Sequence, residues 1–252
     1  MVTGASSGIG REMVRQLCRD GVNVVVVARD FARLEALAVE LKDSQGTVEV
    51  LAADLADPTA LARVEARLAD VDNPVELLVN NAGFGTYGRF SDLPIDEDER
   101  EIRVNVIALV RLAHAALGAM TARGRGAVCN ISSVAGLQAT PGNATYGSTK
   151  AFVTSFSEAL HEEAKGTGVT VTAVLPGFTR TEFQERAGIE GRSIPRLAWQ
   201  DADEVARQAL AATASGRAYF VPGALNKVVA ATLGFVPRSL RRRLAARAVS
   251  RL

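Results

Sequence analysis

Six short runs of β-branched and aliphatic residues alternate along this chain with six longer stretches of helical periodicity. That alternation restricts the fold more than any other feature. The runs are Asn23–Ala28, Val48–Ala53, Val75–Asn80, Ala127–Ser132, Val169–Leu175 and Ala218–Val221. The helical stretches are Ile9–Arg19, Phe31–Lys42, Pro58–Val71, Asp96–Met120, Thr145–Lys165 and Ala202–Ser215. Four of the runs are apolar throughout or nearly so, as parallel strands covered on both faces must be. Strands alternating with helices imply right-handed βαβ units and a doubly wound parallel α/β sheet. In such a sheet a ligand sits beyond the carboxyl ends of the strands. No repeat or low-complexity linker interrupts the pattern, and 252 residues with 48% apolar content suit one domain with a sizeable core.

Charge and cysteine usage exclude several classes. The net charge is +1, so the molecule as a whole carries no field that favours nucleic acid. Cys18 and Cys129 fall in helical or apolar surroundings and read as buried free thiols, which suits a reducing cytoplasm. No run of 18 apolar residues and no signal peptide is visible, so neither a transmembrane helix nor export is expected. No cluster has metal-ligand spacing, and His114 and His161 stand alone on helices. One asymmetry is marked. Residues 224–252 hold Lys227, Arg238, Arg241, Arg242, Arg243, Arg247 and Arg251 and no acid, which leaves residues 1–223 at a net −6.

The turn Thr3-Gly4-Ala5-Ser6-Ser7-Gly8-Ile9-Gly10 opens directly into a helix. Its glycines allow positive φ and let the main chain approach a pyrophosphate, while the helix start offers free N–H groups and partial positive charge. Ser6 and Ser7 can cap that helix and donate to phosphate. A dinucleotide-binding sheet needs a strand before this turn, yet only Met1 and Val2 precede it. The sequence alone thus suggests a start further upstream and a gap at the centre of the sheet. The second strand ends at Ala28-Arg29. An acid there would bond the 2′-hydroxyl of NAD, whereas Arg29, assisted by Arg33, suits the 2′-phosphate of NADP. Asp30 is expected to cap the following helix.

Tyr146 and Lys150 lie one helical turn apart on one face. A free phenol ionises near pH 10, and a neighbouring ammonium is expected to lower that value. Such a phenol can give a proton to a carbonyl oxygen as hydride arrives and take it back in reverse. With three tyrosines and four lysines, a Tyr-x-x-x-Lys arises by accident in roughly 5% of such chains, so context must decide. Ser132 and Ser133 end a strand at the carboxyl edge, where a hydroxyl can hold a substrate oxygen or simply cap local backbone. Asn105 interrupts an apolar helical run, which points to a bonding role or a local kink.

These motifs, in this order, resemble the short-chain dehydrogenase/reductase family. The resemblance runs from Thr3 to about Gly223 and rests on TGASSGIG at 3–10, Asp54-Leu55, NNAG at 80–83, Asn105, ISSVAG at 131–136, Tyr146-x-x-x-Lys150 and Pro176-Gly177. It implies a Rossmann fold and roles residue by residue. Tyr146 is similar to the general acid/base and Ser133 to the substrate-orienting serine. Lys150 resembles the residue that binds the nicotinamide ribose and lowers the tyrosine. Asn105 resembles the asparagine that holds a relay water. Gly4, Ser6, Ser7, Gly8, Ile9 and Gly10 would cradle the phosphates. Asp54 would meet the adenine beside Leu55, with Asn81, Ala82 and Gly83 on the adenosine side. Pro176, Gly177 and Thr181, with Thr179 between them, fall in the segment that holds the carboxamide. The resemblance also implies a homo-oligomer paired through the helices carrying Asn105 and Tyr146.

The expectation is therefore an NADP(H)-dependent carbonyl reductase or alcohol dehydrogenase, with a non-catalytic dinucleotide-binding regulator or scaffold as the alternative. Residues 182–200, with Phe183, Ile189, Ile194, Leu197 and Trp199, would form a lid, and Phe84, Tyr87 and Phe90 a second wall, favouring an apolar substrate. Residues 1–223 would be the catalytic domain. Residues 224–252 would be a basic helical extension, open to three readings: a solvated helix packed on the domain, a subunit contact, or peripheral contact with anionic membrane.

Overall fold

The computed structural model describes residues 1–183, 196–233 and 236–249. A seven-stranded sheet runs in the order β3-β2-β1-β4-β5-β6-β9, with every neighbouring pair parallel. Its strands are β1 (Val2–Thr3), β2 (Val24–Ala28), β3 (Val48–Ala52), β4 (Leu77–Asn80), β5 (Gly126–Ile131), β6 (Val169–Val174) and β9 (Tyr219–Phe220). A small parallel pair, β7 (Thr179–Arg180) and β8 (Gln200–Asp201), brackets the expected lid. The helices α1 (Gly8–Arg19), α2 (Phe31–Glu40), α3 (Pro58–Leu68), α4 (Ile95–Ile102), α5 (Leu109–Arg123), α6 (Ala144–Glu163) and α7 (Ala202–Ala214) cover the two faces, and α8 (Ala224–Leu233) and α9 (Arg238–Val249) follow. Six strands and six helical regions thus fall where the periodicity places them, within a few residues.

The core lies on both faces of the sheet, as apolar strands require. Val24, Val26, Val79, Cys129 and Val174 meet α1, α2 and α7 through Met13, Leu34, Leu37 and Ala209. Val25, Val27, Leu78, Val128 and Val171 meet α3 and α5 through Leu61, Val64, Leu112 and Met120. Asp30 and Asp57 cap α2 and α3, accepting from the N–H groups of Arg33 and Ala60.

Three sequence expectations change. The centre of the sheet is not open beside the cleft, because β1, only two residues long, pairs with β2 on one side and β4 on the other. Ser7 stands at the N-cap of α1 but its side chain makes no capping bond. Residues Ile95–Arg123 are, by length and composition, apolar enough to cross a membrane. In this fold they form one continuous helical rod that buries Leu112, Ala116 and Met120 against the sheet. Between α4 and α5 the rod passes through a π segment, Arg103–Ala108, with Asn105 inside it. Such segments re-aim side chains and often accompany functional sites. Cys18 and Cys129 are buried and unbridged. Ile189, Ile194, Arg251 and Leu252 lie outside the described residues.

Candidate active site

Strand order reverses on either side of β1, and a cleft of about 680 Å³ opens there at the carboxyl edge of the sheet. Its floor is the glycine turn. Gly4 and Gly8 take φ of +65° and +55°. A Cβ on Gly4 would stand 2.8 Å from Asn81 Nδ2 and 2.9 Å from the Ala82 main chain, so no side chain fits. A latch fixes the turn. The Thr3 hydroxyl accepts from the N–H groups of Asn81 and Ala82, both at 3.0 Å, and Asn81 Nδ2 donates to the Thr3 carbonyl at 2.9 Å. Asn81 thus holds the turn with its side chain, a use the sequence did not reveal. The first turn of α1 carries no acid and Ser7 leaves its N–H groups uncapped, so the positive helix end faces the cleft. That donor set, above glycines with no room for Cβ, fits a pyrophosphate.

All eighteen expected cofactor residues but Gly10 line this one cleft, and Gly10 packs under it, where a Cβ would meet the Gly4 carbonyl oxygen at 2.6 Å. At the outer end, Arg29 is exposed and makes no ion pair among the described residues. Arg33 also lines the cleft but is engaged by Glu182 at 2.7 Å and by Asp30 at 3.5 Å. Asp54 is engaged too. One oxygen accepts from the Ala56 N–H at 3.0 Å and the other meets Arg100 of α4 at 2.8 Å.

The inner end holds the reactive side chains. Ser133 follows β5, and its oxygen accepts from the Ala135 N–H at 3.1 Å while facing the Tyr146 phenol closely enough to favour the phenolate. Its neighbour Ser132 is buried and tied to α6, donating to the Lys150 carbonyl at 2.7 Å. Ser133 is only half-buried and its hydroxyl donates to the Pro176 carbonyl over a long 3.4 Å, so of the two serines it is the one that can exchange its partner for a ligand. Tyr146 and Lys150 sit on successive turns of α6. The ammonium donates to the Ile131 carbonyl at 2.9 Å and lies 5.7 Å from the phenol ring centre. A Cβ on Gly83 would stand 3.0 Å from Asn105 Oδ1 and 3.3 Å from Lys150 Nζ, so these two groups converge on one point. Asn105 grips the main chain of Phe84 in both directions, accepting from its N–H at 3.1 Å and donating to its carbonyl at 2.8 Å. The same Nδ2 lies 3.1 Å from Thr149 Oγ1 on α6.

Electrostatics correct one expectation. Lys150 does not bring the phenol down in the protein alone. Burial pushes Tyr146 up to about 12, the charge of Glu101 adds to the rise, and the Ser133 bond opposes it only in part. Burial likewise brings Lys150 down to about 8 against the opposing pull of Glu101. Desolvation of each group outweighs the contacts that favour its charged form. The sequence also missed Thr86, on the loop facing Tyr146, and Asp98 and Glu101 behind it. Their only signal was a pair of acids one turn apart beside Asn105.

Beyond Tyr146 the walls are largely apolar. Phe84, Tyr87, Val134, Ala139, Pro141 and Phe183 line the cleft. The Phe183 ring lies 5.3 Å from that of Tyr146. Phe90 is exposed and Leu197 is 89% exposed, so neither forms the wall expected of it, while Trp199 packs on Phe178 with ring centres 5.8 Å apart. The tail reaches the site: Ala245 lines the cleft, Arg241 meets the Leu137 carbonyl at 3.4 Å, and Asn226 abuts Gly177.

A doubly wound sheet with a phosphate-fitting glycine turn and a Tyr–Lys pair at its carboxyl edge defines a nicotinamide-dependent oxidoreductase of the α/β class. The chain belongs to the short chain dehydrogenase family, whose model matches residues 1–190. It is similar to a short-chain dehydrogenase from Sphingobium yanoikuyae in complex with NADPH, 40% identical with a TM-score of 0.83, over 93% of each chain. It also resembles the bulky-bulky ketone specific alcohol dehydrogenase from Comamonas testosteroni, 34% identical with a TM-score of 0.79, over 93% of this chain and 91% of that one. Among sequences, the 7beta-hydroxysteroid dehydrogenase of Collinsella aerofaciens is 34% identical over 72% of this chain and 68% of its own length. The rat Dehydrogenase/reductase SDR family member 7B is 35% identical over 74% of this chain, a match spanning 59% of that protein.

Proposed function

We propose that this dehydrogenase/reductase uses NADP(H) and transfers hydride between the nicotinamide and a bulky, largely apolar ketone or secondary alcohol. The observation that carries the reading is the single cleft running from Arg29 to Ser133, Tyr146 and Lys150. The uncapped start of α1 and the turn at Gly4–Gly10 would hold the pyrophosphate. Arg29, without another ionic partner among the described residues, would pair with the 2′-phosphate. Lys150 would bind the nicotinamide ribose, Asp54 and Leu55 would flank the adenine, and Pro176, Gly177, Thr179 and Thr181 would bracket the carboxamide. When bound, NADPH would supply the hydride. Tyr146 gives its proton to the carbonyl oxygen while Ser133 donates to the same oxygen and holds it in place. The phenol of the protein alone, pushed up to about 12, is proton-rich, which suits donation. A further cation, the oxidised nicotinamide ring, would supply the downward shift that the reverse reaction needs. Asn105 keeps the wall at Phe84 against Lys150.

The apolar wall, and the likeness to a bulky-bulky ketone specific alcohol dehydrogenase and a 7beta-hydroxysteroid dehydrogenase, support a bulky substrate. Loss of NADPH absorbance with a panel of hindered ketones tests the reading. No consumption with any of them, under conditions where NADPH binds, favours the scaffold alternative. The two buried thiols suit a reducing cytoplasm. We read residues 1–223 as the catalytic domain and 224–252 as a basic extension packed on it. Exposed Leu225, Val228 and Val229 share one face of α8, an apolar stripe that suits a lipid surface, while Lys227 packs over the Phe220 ring with 5.0 Å to its centre.

A further inference from the structure

Two carboxylates lie behind the wall that faces Tyr146, and the chemistry above does not use them. Asp98 and Glu101 of α4 are 2% and 0% exposed. One oxygen of Glu101 accepts from the Thr86 N–H at 2.9 Å and from its hydroxyl at 3.0 Å. The other lies 3.4 Å from Asn105 Nδ2. The Thr86 hydroxyl also lies 3.3 Å from Asp98 Oδ1, but with one proton it can serve only one carboxylate at a time. Asp98 Oδ2 is buried with no partner among the described residues. Two adjacent carboxylates out of water and short of donors cannot both stay ionised cheaply. The Thr86 carbonyl in turn accepts from Asn143, which precedes α6. Glu101 thus reaches the catalytic helix twice: through Thr86 to Asn143, and through Asn105 to Thr149.

We propose that Glu101 is a positioning residue whose protonation state couples the wall at residues 84–88 to Lys150 and Tyr146 and so sets the pH dependence of the reaction. The inference rests on the oxidoreductase reading above. The titratable groups facing Glu101 are Asp98 on its own helix and Lys150 and Tyr146 on α6, while the loop contributes only uncharged Thr86. Arg100 and Arg103, on the same rod, pair instead with Asp54 and Glu99. Burial pushes Glu101 up to about 7; the Thr86 bonds oppose the rise, Asp98 adds to it, and Lys150 opposes it. The carboxyl therefore changes charge near neutrality. Once ionised, it raises both Tyr146 and Lys150, holding the phenol and the ammonium in their protonated forms.

Glu101→Gln keeps an oxygen for Thr86 and holds no charge at any pH. In the NADPH-dependent enzyme, the alkaline limb of the kcat/KM profile should move to lower pH by about half a unit or more. Difference infrared spectroscopy gives a second readout, independent of turnover. The wild type should show a protonated-carboxyl stretch that titrates near neutrality and is missing from Glu101→Gln. Lys150→Met should move its midpoint upward, because an opposing positive charge is gone. A Gln variant with the wild-type pH profile would reduce Glu101 to a structural bond. A band that is absent, or unmoved by Lys150→Met, would overturn the coupling even if the Gln variant fails to fold. A wild type that reduces no carbonyl overturns the oxidoreductase reading alone, and the infrared titration then still decides the coupling.

Discussion

The two ends of the cleft are shaped by different means. At the nucleotide end the main chain does the shaping: glycines with positive φ, a latch from Thr3 to Asn81, and the bare start of α1. At the substrate end the walls are side chains from segments far apart in sequence: Phe84, Ala139, Phe183 and Ala245. A backbone cradle tolerates little change where Gly4 and Gly8 take positive φ and a Cβ on Gly4 or Gly10 would strike its neighbours. A side-chain wall can be redrawn while the cradle and the acid/base pair stay put. The difference teaches why cofactor class is read more readily than substrate in such a chain.

Substitutions at each end should act separately. Tyr146→Phe, at the junction of the two ends, should lower turnover by about 10²–10⁴-fold and leave NADPH affinity nearly intact. Steady-state rates and a fluorescence titration read the two effects separately, and substantial residual turnover would refute the assigned role. Arg29→Asp should act on the nucleotide end alone. Loss of a charge-assisted bond of about 1.5–3 kcal/mol moves the preference between NADPH and NADH by roughly 10–100-fold. An unchanged ratio would mean that another group reads the 2′ position.

Legibility in the sequence follows the same division. The strands were visible because Val24–Val27 and the β-branched run Val169–Val174 suit a sheet covered on both faces, and the turn because Gly4 and Gly10 leave no room for Cβ. β7 and β8 were not visible, being two residues each and paired across the expected lid. The direction of the Tyr146 shift was not visible either, since spacing gives proximity to Lys150 but not the loss of water around both. Asn105 was singled out for being polar in an apolar run. Its two-way grip on Phe84 depends on a π segment that no periodicity announced.

At the substrate end, Phe183→Ala removes the ring beside Tyr146. It should raise KM for bulky ketones by about threefold to tenfold, the worth of an aromatic contact, without altering NADPH affinity. An equal loss for NADPH would show that the two ends are not separable. The smallest effect is expected from the exposed face of α8, whose Leu225, Val228 and Val229 line no part of the cleft. Replacing Leu225, Val228 and Val229 by Ser should abolish sedimentation with anionic vesicles and leave turnover unchanged. A wild type that stays in the supernatant would dispose of the lipid contact.

Ultraviolet difference titration of the phenol, wild type against Tyr146→Phe, decides whether Tyr146 is the acid/base. Without cofactor, the Tyr146 phenolate should emerge only near pH 12. With NADP+ bound, its midpoint should fall by about one unit or more, because a cationic ring favours the phenolate. A midpoint that stays where burial sets it, with the cofactor demonstrably bound, would contradict Tyr146 as the acid/base.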